Sequence, residues 1–189
     1  MTRRRVAAAL AASPAFVAVL VLAGCVSGTG TVDTGYVSGD GTVTTWGAGD
    51  RGEPVTLSGM AFDGTEVDVA EYRGQVVVIN TWYAACPPCR AEAPDLVELD
   101  ARSDVQVLGV NGRDDAGTGL AFERTFAVTY PSIDDADGGA IAALQGLVAL
   151  NAVPTSLVLD TEGRVAARII GRAEPSTLDA LVREAAGAA

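Results

Sequence analysis

The sequence contains no histidine and no lysine; all 13 of its basic residues are arginine. Without imidazole the chain lacks the usual general base near neutral pH and the commonest metal ligand. Aromatic residues make up 5% of the 189 positions against 49% hydrophobic, so a core has to be built from Val, Leu, Ile and Ala. Positive charge is scarce as well. The 24 acidic residues leave a formal charge of −11, and −14 once Arg3, Arg4 and Arg5 are set aside. A surface that acidic repels nucleic acid, and no nucleic-acid partner is expected. Cysteine occurs only at Cys25, Cys86 and Cys89. The longest apolar run, Val6 to Leu22, has 17 residues interrupted by Ser13 and Pro14, short of the roughly 20 that a membrane-spanning helix wants.

What is present at the N-terminus is a basic cluster, that apolar run, and then Leu22-Ala23-Gly24-Cys25. In that order they read as a secretory signal over residues 1–24, with a transmembrane anchor as the alternative. The tetrapeptide resembles the lipobox of bacterial lipoproteins. That resemblance implies a diacylglyceryl group on Cys25 and a chain held by lipid on the extracytoplasmic side of the cell membrane. Cys86 and Cys89 are then left as a pair, in a compartment where disulfides persist. Residues 25–53, rich in Gly, Ser, Thr and Asp without a sustained period, read as a flexible tether. An N-terminal hairpin through Tyr36, Val37, Val43 and Trp46 is the other reading.

From residue 54 to 189 the pattern is that of one α/β domain. Two short strands, 54–57 and 65–69, flank an Asp63-Gly64 turn. Residues 75–80 form a continuous β-branched run that predicts a strand buried on both faces. Past the Cys-x-x-Cys, apolar spacing predicts a helix ending near Ala101 and Arg102, kinked at Pro94. A buried strand at 105–110, a helix through Leu120, Phe122, Phe126 and Val128, a strand at 130–133 and a helix at 141–150 follow. Strands at 155–159 and 165–170 and a closing helix from Ser176 to about Ala186 complete a mixed sheet flanked by helices.

Cys86-Pro87-Pro88-Cys89 by itself fits a structural staple, half of a metal clamp or a working dithiol. A metal site wants about four ligands, and two cysteines with no histidine supply too few. A staple closing so small a loop stabilises little. A working dithiol needs a thiolate that attacks and a second thiol that resolves. At a helix N-cap Cys86 faces the positive end of the dipole, which favours the thiolate, so it is the expected nucleophile at an exposed position; Cys89, one turn in, is the resolver. Pro87 and Pro88 suit the first helical turn, where their missing N–H has no partner anyway. They also leave the Cys89 amide as the main donor to the Cys86 sulfur, which points to a weakly stabilised thiolate and hence a reductant.

The order of elements resembles the thioredoxin-like fold. Residues 73–82 (RGQVVVINTW) and 86–94 (CPPCRAEAP) together resemble the membrane-tethered thiol-disulfide oxidoreductases of the TlpA and ResA type, over about residues 54–189. The resemblance implies a thioredoxin-like fold with an N-terminal β-hairpin and a central insertion within 112–150. It implies a cis Pro154 that exposes the Val153 backbone to a client, although an ordinary turn there is the plain alternative. Glu92 matches a family acid used in proton transfer, the alternative being a solvated helix carboxylate, and Trp82 is read as packing beside the site. The family's aromatic residue before the first cysteine is absent: Ala85 stands there, and any cover has to come from Tyr83. No cofactor and no metal are implied. The implied partners are protein disulfides or dithiols, cytochrome c precursors among them, a membrane thiol-disulfide electron donor, and the membrane through its lipid; a monomer is expected. General disulfide oxidation in a secretory pathway is the other role the resemblance implies. A metallochaperone or thiol-ligand-binding module is the alternative function. A peroxidase is disfavoured, because no P-x-x-x-T-x-x-C precedes Cys86.

Overall fold

The structure, a computed structural model, describes residues 41–148 and 152–187; the expected signal segment, Cys25 and the first part of the expected tether lie outside them. In chain order the elements are β1 (Gly41–Thr45), β2 (Ser58–Met60), β3 (Glu66–Asp68), β4 (Val76–Thr81), α1 (Pro87–Asp100), β5 (Val105–Asn111), α2 (Ala116–Phe126), β6 (Ser132–Asp134), α3 (Gly139–Ala143), β7 (Thr155–Leu159), β8 (Val165–Gly171) and α4 (Pro175–Ala185). Six strands make one mixed sheet in the order β1-β8-β7-β4-β5-β6. β4, β5 and β6 run parallel, whereas β7, β8 and β1 pair antiparallel along the other half. This is the mixed α/β sheet that the pattern predicts, in the thioredoxin-like arrangement that the resemblance implies.

β4 is buried along its whole length. Its alternate side chains go to opposite faces, as a pleated strand requires. Val76 and Val78 meet Leu96 and Leu99 of α1 and Leu178 and Val182 of α4 on one side. Val77 and Ile79 meet Leu57, Val67 and Leu144 on the other. The second face is therefore covered by the β2–β3 hairpin and the short α3 rather than by long helices. The hairpin turn at Asp63-Gly64 forms as expected: Gly64 takes φ 85° and Asp63 accepts from the Thr65 amide. Its first strand, however, is Ser58–Met60 and not 54–57, because the Val55 amide is taken by the Gly163 carbonyl, 2.8 Å away.

Three further differences concern element extents. The described part of the expected tether is not free chain, since β1 pairs residue for residue with β8 from Gly41↔Gly171 to Thr45↔Ala167, with Val43 buried in the first core cluster. Arg51 then bonds to the Trp46 carbonyl and to Asp160. The helix expected at 141–150 stops at Ala143, where the chain turns at Leu144, whose carbonyl accepts from Leu147 and Val148. α1 runs unbroken through Pro94, which lies on its exposed side.

Candidate active site

β4 delivers the chain from the centre of the sheet directly to the N-terminus of α1, and Cys86 is its N-cap residue with extended backbone (φ −75°, ψ 112°). Pro87 and Pro88 occupy the first turn, where no N–H is missed. Cys86 and Cys89 are joined as a disulfide with their Cα atoms 5.3 Å apart. The Cys86 sulfur accepts a hydrogen bond from the Cys89 amide at 3.2 Å. Position, partner and donor are those the motif predicts.

Exposure is not. Cys86, expected at an exposed position, is 1% exposed, and Cys89 is 2%. Both belong to an apolar cluster with Phe62, Trp82, Ala93 and Phe122, against which Tyr83 and Val153 also pack. Phe62 and Phe122 come from the hairpin turn and from α2, so the cluster that holds the sulfurs is assembled from elements distant in sequence. What distinguishes Cys86 is its neighbours, for Ala85 and Pro87 on either side of it are exposed. Tyr83, half-buried, packs against the same cluster and lies beneath the Arg113 guanidinium at 4.6 Å.

Trp82 packs as expected. It stacks on Phe122 with centroids 4.3 Å apart and its indole N–H donates to Ser132 Oγ at 3.3 Å. Gly109 makes room for that bond: a Cβ there would collide with both Ser132 and the Trp82 ring nitrogen. The Val153–Pro154 peptide is cis. The loop around it is fastened to β4 by two bonds between Thr81 Oγ1 and the Thr155 main chain, one accepted at 2.9 Å and one donated at 3.3 Å. Beside Val153 opens a cavity of roughly 380 Å³, bounded by Trp82, Val110, Arg113, Ile141 and Val148 among others.

Glu92 is no solvated carboxylate. It is 1% exposed, three residues along α1 from Cys89 and so on a neighbouring part of the helix surface. One oxygen accepts from Asn80 Nδ2 at 2.8 Å and the other from the Ala173 amide at 3.0 Å. Asn80 in turn reaches Ser156 Oγ at 3.1 Å. Burial is the main cause that pushes the Glu92 carboxyl from 4.5 up to about 7, and the Ala173 amide, Asn80 and Arg172 offset only part of it. Sequence reasoning missed Ser156 and the Ala173 amide altogether. Asn80 carried a signal, as an amide closing the apolar run of residues 76–79.

A family profile described as Redoxin matches residues 47–182. The thiol:disulfide interchange protein HelX of Rhodobacter capsulatus is 29% identical over 137 residues, 72% of this chain and 74% of that protein. The thiol-disulfide oxidoreductase ResA of Geobacillus thermodenitrificans is 28% identical over 112 residues, 58% of this chain and 62% of that one. Across eight of the curated relatives the match spans between 46% and 74% of their length. Among solved structures, a secreted thiol-disulfide isomerase from Corynebacterium glutamicum superposes with a TM-score of 0.70 at 29% identity, over 76% of this chain and 90% of that one.

Proposed function

Since the chain belongs to the Redoxin family and is a thiol-disulfide oxidoreductase of the DsbE and ResA type, we propose that it works outside the cytoplasm, held to the membrane by a lipid on Cys25, and reduces the disulfides of client proteins. The extracytoplasmic placement is supported by the signal-like N-terminus and by a structural relative described as secreted.

In the reduced protein the Cys86 thiolate attacks one sulfur of a client disulfide. The client's other sulfur leaves as a thiolate and takes up a proton, and a mixed disulfide remains. Cys89 passes its proton to Glu92 and attacks Cys86 Sγ, which releases the second client thiolate. Two electrons have moved to the client, and Cys86 and Cys89 are joined as in this structure. A membrane thiol-disulfide donor returns two electrons and the cycle closes. Pairing of the client on the Val153 backbone, with a side chain in the adjoining cavity, sets the sulfurs in line. Cytochrome c precursors are a client class that the family resemblance implies.

The observation that carries the reducing direction is the single amide on the Cys86 sulfur. With prolines at 87 and 88, Cys89 N–H is the donor the first turn retains, so the thiolate gains little and the disulfide is the favoured state. Titration of the described domain in glutathione buffers tests this. A potential nearer about −270 mV than about −120 mV is expected. A value at the oxidising end would reverse the proposed direction.

A further inference from the structure

Tyr83, Ala84 and Ala85, which join β4 to the nucleophile, belong to no helix or strand, yet they are held from several sides. The Ala84 amide donates to Asp114 Oδ2 at 2.6 Å. The same oxygen accepts from Asn111 Nδ2 at 2.8 Å. Asn111, the fully buried last residue of β5, accepts through Oδ1 from the amides of Arg113 and Asp114 at 3.0 and 3.1 Å. Its side chain thereby fixes both the β5–α2 loop and the carboxylate that loop presents. On the other side the Ala84 carbonyl accepts from Arg90 Nη1 at 3.2 Å, and the Cys86 amide donates to the Tyr83 carbonyl at 3.1 Å.

We propose that Asp114, oriented by Asn111, is a positioning residue for the dithiol: its grip on the Ala84 amide keeps Cys86 within reach of Cys89 when the bond between them is open. In the oxidised protein the covalent bond itself holds Cys86 against α1. Reduction adds two electrons and two protons, breaks that bond and leaves only non-covalent contacts to hold the turn. The position where a ring could wedge the turn in place carries the exposed Ala85. Asp114 supplies the restraint from the β5–α2 loop. The effective concentration of one thiol at the other, which sets how readily the disulfide closes, rises with that restraint.

The inference rests on Cys86 and Cys89 being the working dithiol, and its test reads the closing equilibrium directly. Wild-type protein and two variants are equilibrated with glutathione: protein dithiol plus oxidised glutathione gives protein disulfide plus two reduced glutathiones. Loss of the restraint in Asp114→Ala is expected to lower the closing constant about tenfold, an upward shift of about 30 mV for a two-electron couple. Asp114→Asn retains a carbonyl oxygen able to accept from both Ala84 and Asn111 and is expected within about twofold of wild type. Denaturant midpoints of the variants keep loss of fold apart from loss of restraint. In wild-type protein, hydrogen exchange at the Ala84 amide is expected to be as slow in the reduced as in the oxidised state. An Asp114→Ala constant equal to wild type, an Asp114→Asn shift as large as that of Asp114→Ala, or an unprotected Ala84 amide in the reduced state each overturns the proposal. A wild-type protein that closes its disulfide normally but leaves client disulfides untouched sinks the proposed function instead.

Discussion

Glu92 and Asp160 are both buried carboxylates, 1% and 2% exposed, and each ties its element to a distant part of the chain. Asp160, in the β7–β8 turn, accepts through Oδ1 from the amides of Glu162 and Arg164 and through Oδ2 from the guanidiniums of Arg51 and Arg164. Glu92 accepts from one side-chain amide and one backbone amide, both neutral. Burial pushes both carboxyls up. At Asp160 the Arg164 amide and the two guanidiniums outweigh it and hold the group below its ordinary range, whereas at Glu92 nothing does. The lesson is that depth alone does not set the charge of a buried acid. Cationic donors make a fixed structural anion, and neutral donors leave a group that changes protonation near pH 7.

The largest expected effect breaks the structural member of the pair. Asp160→Ala strands the Arg51 guanidinium in the interior and is expected to remove about 3–5 kcal/mol of stability in urea denaturation, with the redox potential unchanged. A loss below about 1 kcal/mol would show that the network is an ordinary surface ion pair. Next in size is the pH dependence of Glu92. Its folded-state value lies above that of the unfolded chain, so the native state holds a proton the unfolded chain has lost between about pH 4.5 and 7. Stability is therefore present below that window and falls as pH rises through it, by roughly 3 kcal/mol. Glu92→Gln is expected to flatten this slope and to slow client reduction at least about tenfold; a slope that persists in the variant assigns it to another group. Smaller again is Asn80→Ala, which removes the side-chain donor from Glu92 and leaves the Ala173 amide. The pH midpoint of client reduction is expected to move upward by roughly one unit, and no movement would mean the bond is idle. The smallest change sharpens the comparison from the sulfur's side. Pro87→His places beside the Cys86 sulfur the kind of cationic partner that Asp160 has, and the potential is expected to rise by about 30 mV, as one interaction of about 1.4 kcal/mol implies.

Features decided by near neighbours in sequence were legible in advance. The β-branched run of β4, the Asp63-Gly64 turn, the N-cap position of Cys86 and the two prolines behind it all depend on local chemistry. What stayed hidden depends on contacts across the fold. Residues 41–45 carry a Thr-Val alternation, but their Gly-rich setting reads as linker unless the open edge of β8 is known. Cys86 is buried in an apolar cluster to which Phe62 and Phe122 contribute from separate elements. The environment of Glu92 depends on residues 76 and 81 positions apart in the chain, Ser156 from Asn80 and Ala173 from Glu92. Asp114 looked like one more acid in an acidic chain, and only its 2.6 Å bond to the loop before the nucleophile sets it apart.

The register of β1 has a consequence for orientation. Thr42 lies opposite Ile170, Ile170 opposite Thr155 and Thr155 opposite Thr81, so all four stand in one row across the sheet. Thr81 is the last residue of β4, five positions before Cys86, and Gly41 lies one step beyond Thr42 in the same direction. The polypeptide thus comes into the domain on the rim that carries the dithiol, about three strand spacings or roughly 15 Å to the side of β4. A lipid on Cys25 would pull on that rim rather than on the opposite one.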